Sequence, residues 1–304
     1  MSHRIYYFSG TGNSLWVARK MQESCPEAEL IPITNDLMIE LEEADSEPNA
    51  ESNSEADSEA DSEAESESDI GGNEKTSTSG KKEPEIIGLV FPIYFFKPAR
   101  IVMNFIQKMP NADYVYAVAT CGGNPGNTLT VVKNAMLKRG ITLRAGYNIV
   151  LITNFVVLPN IKSQKSVEKA FKKAEAKTQT IAVHIKNRAL HFDKETPKVI
   201  QKPLSALAFN PIYRRIPTLD KYFKVSEACV SCGACRDVCP VQNITLNEKP
   251  IFHHQCEMCF SCINWCPKKA INWTAATKKS RRYHCQSISK EDVIANRYFR
   301  MKKE

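Results

Sequence analysis

The hydrophobic positions change period along the chain. Ile5-Tyr6-Tyr7-Phe8 is a continuous apolar run of strand length, and Leu15-Trp16-Val17-Ala18-Arg19-Lys20-Met21 repeats with helical period. Between them lies the polar loop Ser9-Gly10-Thr11-Gly12-Asn13-Ser14. Leu30-Ile31-Pro32-Ile33 reads as a short edge strand, because its proline cannot donate to a central ladder. Ile86-Ile87-Gly88-Leu89-Val90-Phe91 is apolar on both faces, as a central parallel strand must be. Residues 114–120 and 147–152 supply a fourth and a fifth strand. Helices are expected over 99–109 and 128–139, and an amphipathic one over 167–190, where Val167, Ala170, Phe171, Ala174, Ile181, Ile185 and Ala189 share a face. Strands alternating with helices predict an α/β domain with a doubly wound parallel sheet.

The pattern breaks off over 42–83. This stretch is nearly pure Glu, Asp, Ser and Ala, with a four-residue repeat running from Ser54 to Ser62. It buries too little to offset the entropy of ordering and is expected to be disordered; a long charged helix is the alternative, since Ala and Glu favour helix. The stretch also distorts the overall charge of +7. Between Asp36 and Glu74 lie 16 of the 34 acids and no Lys or Arg, so 41 basic residues face 18 acidic ones elsewhere. A body this basic suits an anionic partner, whether an acidic redox protein, a phosphate-bearing cofactor or nucleic acid. Charge alone speaks for nucleic acid, and a solvated Lys-rich surface accounts for it equally well.

The chain opens without a basic-then-apolar signal and holds no apolar run of the ~18 residues a membrane span needs. That predicts a soluble protein with no membrane partner, in the reducing cytoplasm, whose eleven cysteines are not disulfide staples. Eight of them form two runs of identical spacing: Cys229-x-x-Cys232-x-x-Cys235-x-x-x-Cys239-Pro240 and Cys256-x-x-Cys259-x-x-Cys262-x-x-x-Cys266-Pro267. Three thiolates two residues apart can wrap one corner of a small inorganic cube, and the proline after the fourth turns the chain away. Soft thiolates select iron–sulfur clusters, zinc or Cu(I). Structural zinc usually takes two separated ligand pairs, which fits less well. Cys25, Cys121 and Cys285 are too scattered to join a ligand set.

Three further loops carry candidate chemistry. Ser9–Ser14, between strand and helix, joins hydroxyls, free amides and a helix N-terminus, an arrangement that binds phosphate. It has neither the P-loop lysine nor the full dinucleotide fingerprint. Pro92-Ile93-Tyr94-Phe95-Phe96 puts three aromatics at the C-terminal end of a strand, where open α/β sheets bind ligands. Tyr94 is the expected stacking partner of a flat ring, with Phe95 or Phe96 as alternates; packing on the next helix is the plainer reading. The third loop is Thr120–Asn127, with Cys121-Gly122-Gly123-Asn124-Pro125-Gly126-Asn127, whose three glycines allow close approach of backbone to a flat ligand. Asn154 follows the fifth strand.

The cysteine runs resemble the two-cluster bacterial-type ferredoxins over about 225–275. The three loops and the strand–helix alternation resemble the flavodoxins over 1–190, apart from the acidic insertion. Together they resemble the flavodoxin–ferredoxin fusion proteins of anaerobes. This resemblance implies a five-stranded sheet of order 2-1-3-4-5, followed by a small α+β ferredoxin domain. It implies FMN held by Ser9, Gly10, Thr11, Gly12, Asn13, Ser14, Pro92, Tyr94, Phe95, Thr120, Cys121, Gly122, Gly123 and Asn124. It also implies two [4Fe-4S] clusters with the fourth cysteine exchanged, so that Cys229, Cys232, Cys235 and Cys266 form one ligand set and Cys256, Cys259, Cys262 and Cys239 the other.

The expected domains are 1–41 with 84–190 (flavodoxin-like), 42–83 (insertion), 191–222 (linker), 223–276 (ferredoxin) and 277–304 (basic tail, helical from Ser289). The implied function is electron transfer with redox partner proteins; a small-molecule flavin reductase fed by the ferredoxin part is the alternative, although no acid–base pair marks a catalytic site. His253 and His254 read as exposed loop histidines, Cys121 as a small filler, and Trp265 and Trp273 as ferredoxin core.

Overall fold

A computed structural model of the chain describes residues 2–46, 85–155, 163–196 and 210–297. The first strand β1 (His3–Tyr7) lies between β2 (Ala28–Pro32) and β3 (Ile86–Tyr94), and β5 (Tyr114–Cys121) and β6 (Leu143–Val150) extend the sheet from β3. All of these pairs are parallel. The order of the five long strands is that of the flavodoxin-like fold, with proline-containing β2 at the edge. Helices α1 (Asn13–Ser24) and α5 (Gln164–Lys186) cover one face, with Ile5, Tyr7, Val17, Met21 and Ile181 buried beneath them. Helices α3 (Arg100–Ile106) and α4 (Thr128–Leu137) cover the other, over Tyr6, Phe8, Leu89 and Phe91.

Two regular features escape the hydropathy pattern. A two-residue strand β4 (Lys97–Pro98) folds back on β3, and β7 (His191–Phe192) adds a parallel strand beside β6. Strands this short have no period to read. A helix, α2 (Asn35–Ser46), takes in the first residues of the acidic stretch; the remainder of it lies outside the described residues.

The segment expected as a linker is built into the structure where it is described. Glu195 accepts hydrogen bonds from Leu129 and Thr130 N–H in the first turn of α4 (2.6 and 3.1 Å), helping to cap that helix. A short helix (Asn210–Arg215) runs into a 3₁₀ turn (Ile216–Tyr222) that buries Ile216 and Asp220. The Asp220 carboxylate holds Asn243 Nδ2 (2.7 Å) and His254 Nδ1 (2.6 Å), fixing the turn to the cysteine-rich part.

That part contains two small antiparallel pairs, β9 (Ile244–Asn247) with β10 (Lys249–Phe252) and β8 (Lys224–Val225) with β11 (Ile271–Asn272). The basic C-terminal segment is not a free tail as far as it is described. Cys285, Ile288 and Val293 are buried in the same core as α1, and Asp292 pairs with Arg19 at 2.6 Å. No helix among the described residues is long and apolar enough to cross a membrane.

Candidate functional site

The β1–α1 loop turns through Gly12, whose φ of 93° is costly for any residue with a Cβ. Its carbonyl groups are taken up by other parts of the chain. Gly10 O accepts from Ser261 Oγ (2.8 Å) and Trp265 Nε1 (3.3 Å), and Thr11 O from Cys285 N–H (2.8 Å). Asn13 is braced from both sides, by Ile152 O (2.8 Å) and the Tyr283 hydroxyl (2.7 Å). Every one of these braces except Ile152 comes from the cysteine-rich part or the segment after it. Trp265, expected in the ferredoxin core, therefore works at the junction, where it also stacks on His284 at 4.1 Å.

A cavity of about 360 Å³ opens at this sheet edge. Its walls include Ser9, Gly10, Thr11, Asn13 and Ser14 from the first loop, Pro92 to Phe96 from the second, and Thr120 to Asn124 from the third. All the sequence-expected flavin residues line it except Gly12, which instead faces Cys285 and Ile288, where a Cβ would lie 3.0 Å from each. Among the described residues that line it there is no Asp, Glu, Lys, Arg or His. Ser14 Oγ and Thr120 Oγ1 share a hydrogen bond of 2.8 Å, tying the first loop to the third. At Gly123 a Cβ would meet nothing within 4 Å, so the third loop leaves open space there.

The second loop is a tight hairpin. Phe95 and Phe96 occupy its two turn positions with φ of 49° and 60°, between Tyr94 and Lys97, which pair across β3 and β4. Turns of this kind normally use Asn or Gly, because both central residues are left-handed. Bulky residues there are held at a cost of order 1–3 kcal/mol each. Phe95 meets Phe155 edge-on at 5.9 Å. Tyr94, the expected stacking residue, is a buried part of the cavity wall at 7% exposure. Its hydroxyl has no hydrogen-bond partner among the described residues. A buried orphan hydroxyl, open space beside Gly123 and a wall of neutral donors fit a flat polar ligand with a phosphate group.

The two cysteine runs fold alike. Ser231 and Met258, one residue before the second cysteine of each run, have φ of 53° and 50°. Gly233 and Phe260, just after it, have 76° and 57°, and Gln242 and Lys269, three after each fourth cysteine, have 52° and 49°. Their surroundings differ. Cys232 is exposed and Cys229 and Cys266 are half-buried, whereas Cys235, Cys239, Cys256, Cys259 and Cys262 are buried.

Cys235 has its thiol pushed up to about 11 by burial, then by Cys266 and Cys229. Burial, then Cys239, drives Cys259 to about 12, and Cys262 is raised by burial, then by Cys256, Cys259 and Cys239. Cys266 thus acts on Cys235 of the first run, and Cys239 on Cys259 and Cys262 of the second, with Cys235 also acting on Cys262. All are free thiols. Such a crowd ionises fully only around a cationic core, which is the chemistry an iron–sulfur cluster supplies.

The second run also forms part of the cavity. Met258 and Phe260, on either side of Cys259, line it together with the three loops. A Cβ on Gly10 would lie 2.8 Å from the Cys259 Cβ, so the glycine permits that contact. Asn154 Nδ2 donates to Cys259 O (3.1 Å). The Glu257 carboxylate accepts from Arg100 and Ile101 N–H (2.8 and 3.1 Å) at the start of α3, and burial, opposed by Arg100, pushes its pKa up to about 7. Phe155, Phe260 and Trp273 form an aromatic cluster with centroids 5.6 to 6.1 Å apart across the junction. None of these long-range contacts has a local signature: Gly10, Asn154, Cys259 and Trp273 drew notice in the sequence, but not as partners across this junction.

Residues 221–288 match the family described as "4Fe-4S dicluster domain". A ferredoxin of Pyrobaculum islandicum is 40% identical over 60 residues, covering 18% of this chain and 56% of its own length. An uncharacterized protein of Methanocaldococcus jannaschii is 39% identical over 54 residues, covering 18% of this chain and 21% of its own. The chain thus spans about half of the first relative and a fifth of the second. Among solved structures, a putative flavoprotein of Bacteroides eggerthii is 18% identical, with 57% of this chain and 97% of that one covered and a TM-score of 0.30. At that score the likeness adds nothing to the strand order already described. Strand order and cysteine-run match together show a flavodoxin-like parallel sheet followed by a region that matches the 4Fe-4S dicluster domain.

Proposed function

We propose that this protein passes electrons between two [4Fe-4S] clusters and a bound FMN, with the second cysteine run as the relay next to the flavin. The observation that carries this reading is the shared cavity wall: Met258 and Phe260 flank Cys259 and line the same space as the three sheet-edge loops. The clusters supply one-electron steps, and the flavin one- or two-electron steps, so the pair converts between the two.

Cys229, Cys232, Cys235 and Cys266 would hold one cluster, and Cys256, Cys259, Cys262 and Cys239 the other. Ser9, Thr11, Asn13 and Ser14 would hold the phosphate through neutral donors, with the loop carbonyls already committed elsewhere. Pro92–Phe96 and Thr120–Asn124 would enclose the ring. Phe155 and Phe260 would keep water from the space between a bound ring and the second run. The exposed Cys232 and its exposed neighbour Val230 form the edge at which a one-electron partner protein would reach the first cluster. An acidic carrier suits the basic body best.

The test is the full chain purified without oxygen. About eight iron and eight sulfide per chain with one FMN are expected. A colourless protein, or one holding zinc in the cysteine runs, would contradict the reading.

A further inference from the structure

At the opposite end of the sheet from the cavity, three side chains of metal-ligating type converge. Ligand atoms of His3, Cys25 and Glu27 all lie within 4.8 Å of one another. His3 opens β1 and is paired in register with Ala28, the first residue of β2, so the strand runs beside the α1–β2 turn. With Ile5 and Tyr7 it projects to the face that α1 covers, where Cys25 is also buried. The turn Cys25-Pro26-Glu27 is fixed at both ends. Cys25 N–H donates to Met21 O (2.9 Å) and Gln22 O (3.1 Å), and Ala28 N–H donates to Cys25 O (2.9 Å).

The two ring nitrogens of His3 are treated differently. Nε2 shares a hydrogen bond of 3.0 Å with the buried Tyr116 hydroxyl. Nδ1 is buried and has no hydrogen-bond partner among the described residues, with Glu27 Oε1 at 3.9 Å. A buried imidazole oriented through one nitrogen while the other points at a thiol and a carboxylate is how proteins set a histidine ligand. Burial also lowers the His3 pKa, which favours the neutral ring a metal needs. A buried nitrogen with nothing to bind is costly, so a ligand there would remove a penalty as well as form a bond.

We propose that His3 Nδ1, Cys25 Sγ and Glu27 form a site for one divalent zinc-class cation, separate from the cysteine runs. One thiolate, one carboxylate and one neutral imidazole balance a charge of two and leave a fourth position for water. The half-exposed Glu27 (57%) gives that position access to solvent and is free to move inward. Lying far from the flavin loops along β1, the site would act as a staple, pinning the first strand to the α1–β2 turn.

The test uses the full chain with its clusters, incubated anaerobically with zinc chloride and desalted. One zinc per chain should be retained while iron and sulfide stay unchanged, and the zinc K-edge should show one sulfur at about 2.3 Å with nitrogen or oxygen neighbours at about 2.0–2.1 Å. Zinc affinity should fall by at least about tenfold in Glu27→Gln, whose exposed position spares the fold, and further in His3→Ala. No retained zinc, equal retention in Glu27→Gln, or a shell made only of sulfur would overturn the proposal. These results do not depend on flavin or on electron transfer.

Discussion

The two cysteine runs share a spacing, a proline and three pairs of left-handed residues, yet one meets solvent and the other meets the flavodoxin-like domain. Where the first run has Gly233 at a left-handed position, the second has Phe260, whose ring closes the cavity wall. Where the first run exposes Cys232 and Val230, the equivalent Cys259 is buried against Gly10. A repeated binding unit has thus been put to two uses. One copy keeps the ordinary turn residue and an open edge, and the other tolerates strain to make contact.

Breaking either run should have the largest effect, and an unequal one. Cys232→Ala should remove about four irons and leave flavin affinity unchanged, whereas Cys256→Ala should remove about four and loosen the cavity wall, raising the flavin Kd. Iron analysis with flavin fluorescence titration reads both. Gly10→Ala comes next. Its Cβ would sit 2.8 Å from Cys259 Cβ and 3.0 Å from Cys259 O, so the junction must shift, costing about 1–3 kcal/mol in anaerobic denaturation. Gly123→Ala, with open space around it, should cost little stability, so it is the control.

Phe260→Gly relieves a left-handed phenylalanine but empties the wall. Loss of a buried ring typically costs about 3–5 kcal/mol against about 1–3 kcal/mol of relief, so a net loss near 2 kcal/mol is expected. Gly233→Ala in the first run probes the same position without the ring, and it should cost about 1–2 kcal/mol from strain alone.

The smallest effect belongs to the C-terminal strap, the stretch around Cys285, Ile288 and Asp292 that is buried in the α1 core and paired with Arg19. Arg19 holds the Asp292 carboxyl down to about 2, so this pair adds stability above the usual carboxylate pKa and loses it as pH falls through about 2. Because the pair is partly exposed, Arg19→Ala should cost only about 0.5–1 kcal/mol near neutrality. The difference from wild type should vanish below pH 2.

The sequence revealed the parts better than their assembly. Cysteine spacing and the apolar run 86–91 are local patterns with direct physical causes, and both lead to the right element. The hairpin at Phe95–Phe96 was missed because its residues are not those that left-handed turns favour. The strap was missed because Cys285, Ile288 and Val293 are few apolar residues among many Lys and Arg, and composition outweighed them. The junction was missed because its bonds span 100 or more residues, as from Ser261 to Gly10 or Asn154 to Cys259. Tyr94 was recognised as a cavity residue, but the burial of its ring follows from β3 being covered on both faces, which an isolated aromatic does not announce.

The most direct test is a magnetic one. In protein poised anaerobically with half-reduced flavin and reduced clusters, a nearby paramagnetic cluster speeds relaxation of the flavin signal. If the second run adjoins the flavin, that signal should saturate at much lower microwave power in Cys256→Ala than in wild type, with Cys232→Ala close to wild type. Equal saturation in all three, or the larger change in Cys232→Ala, would contradict the account.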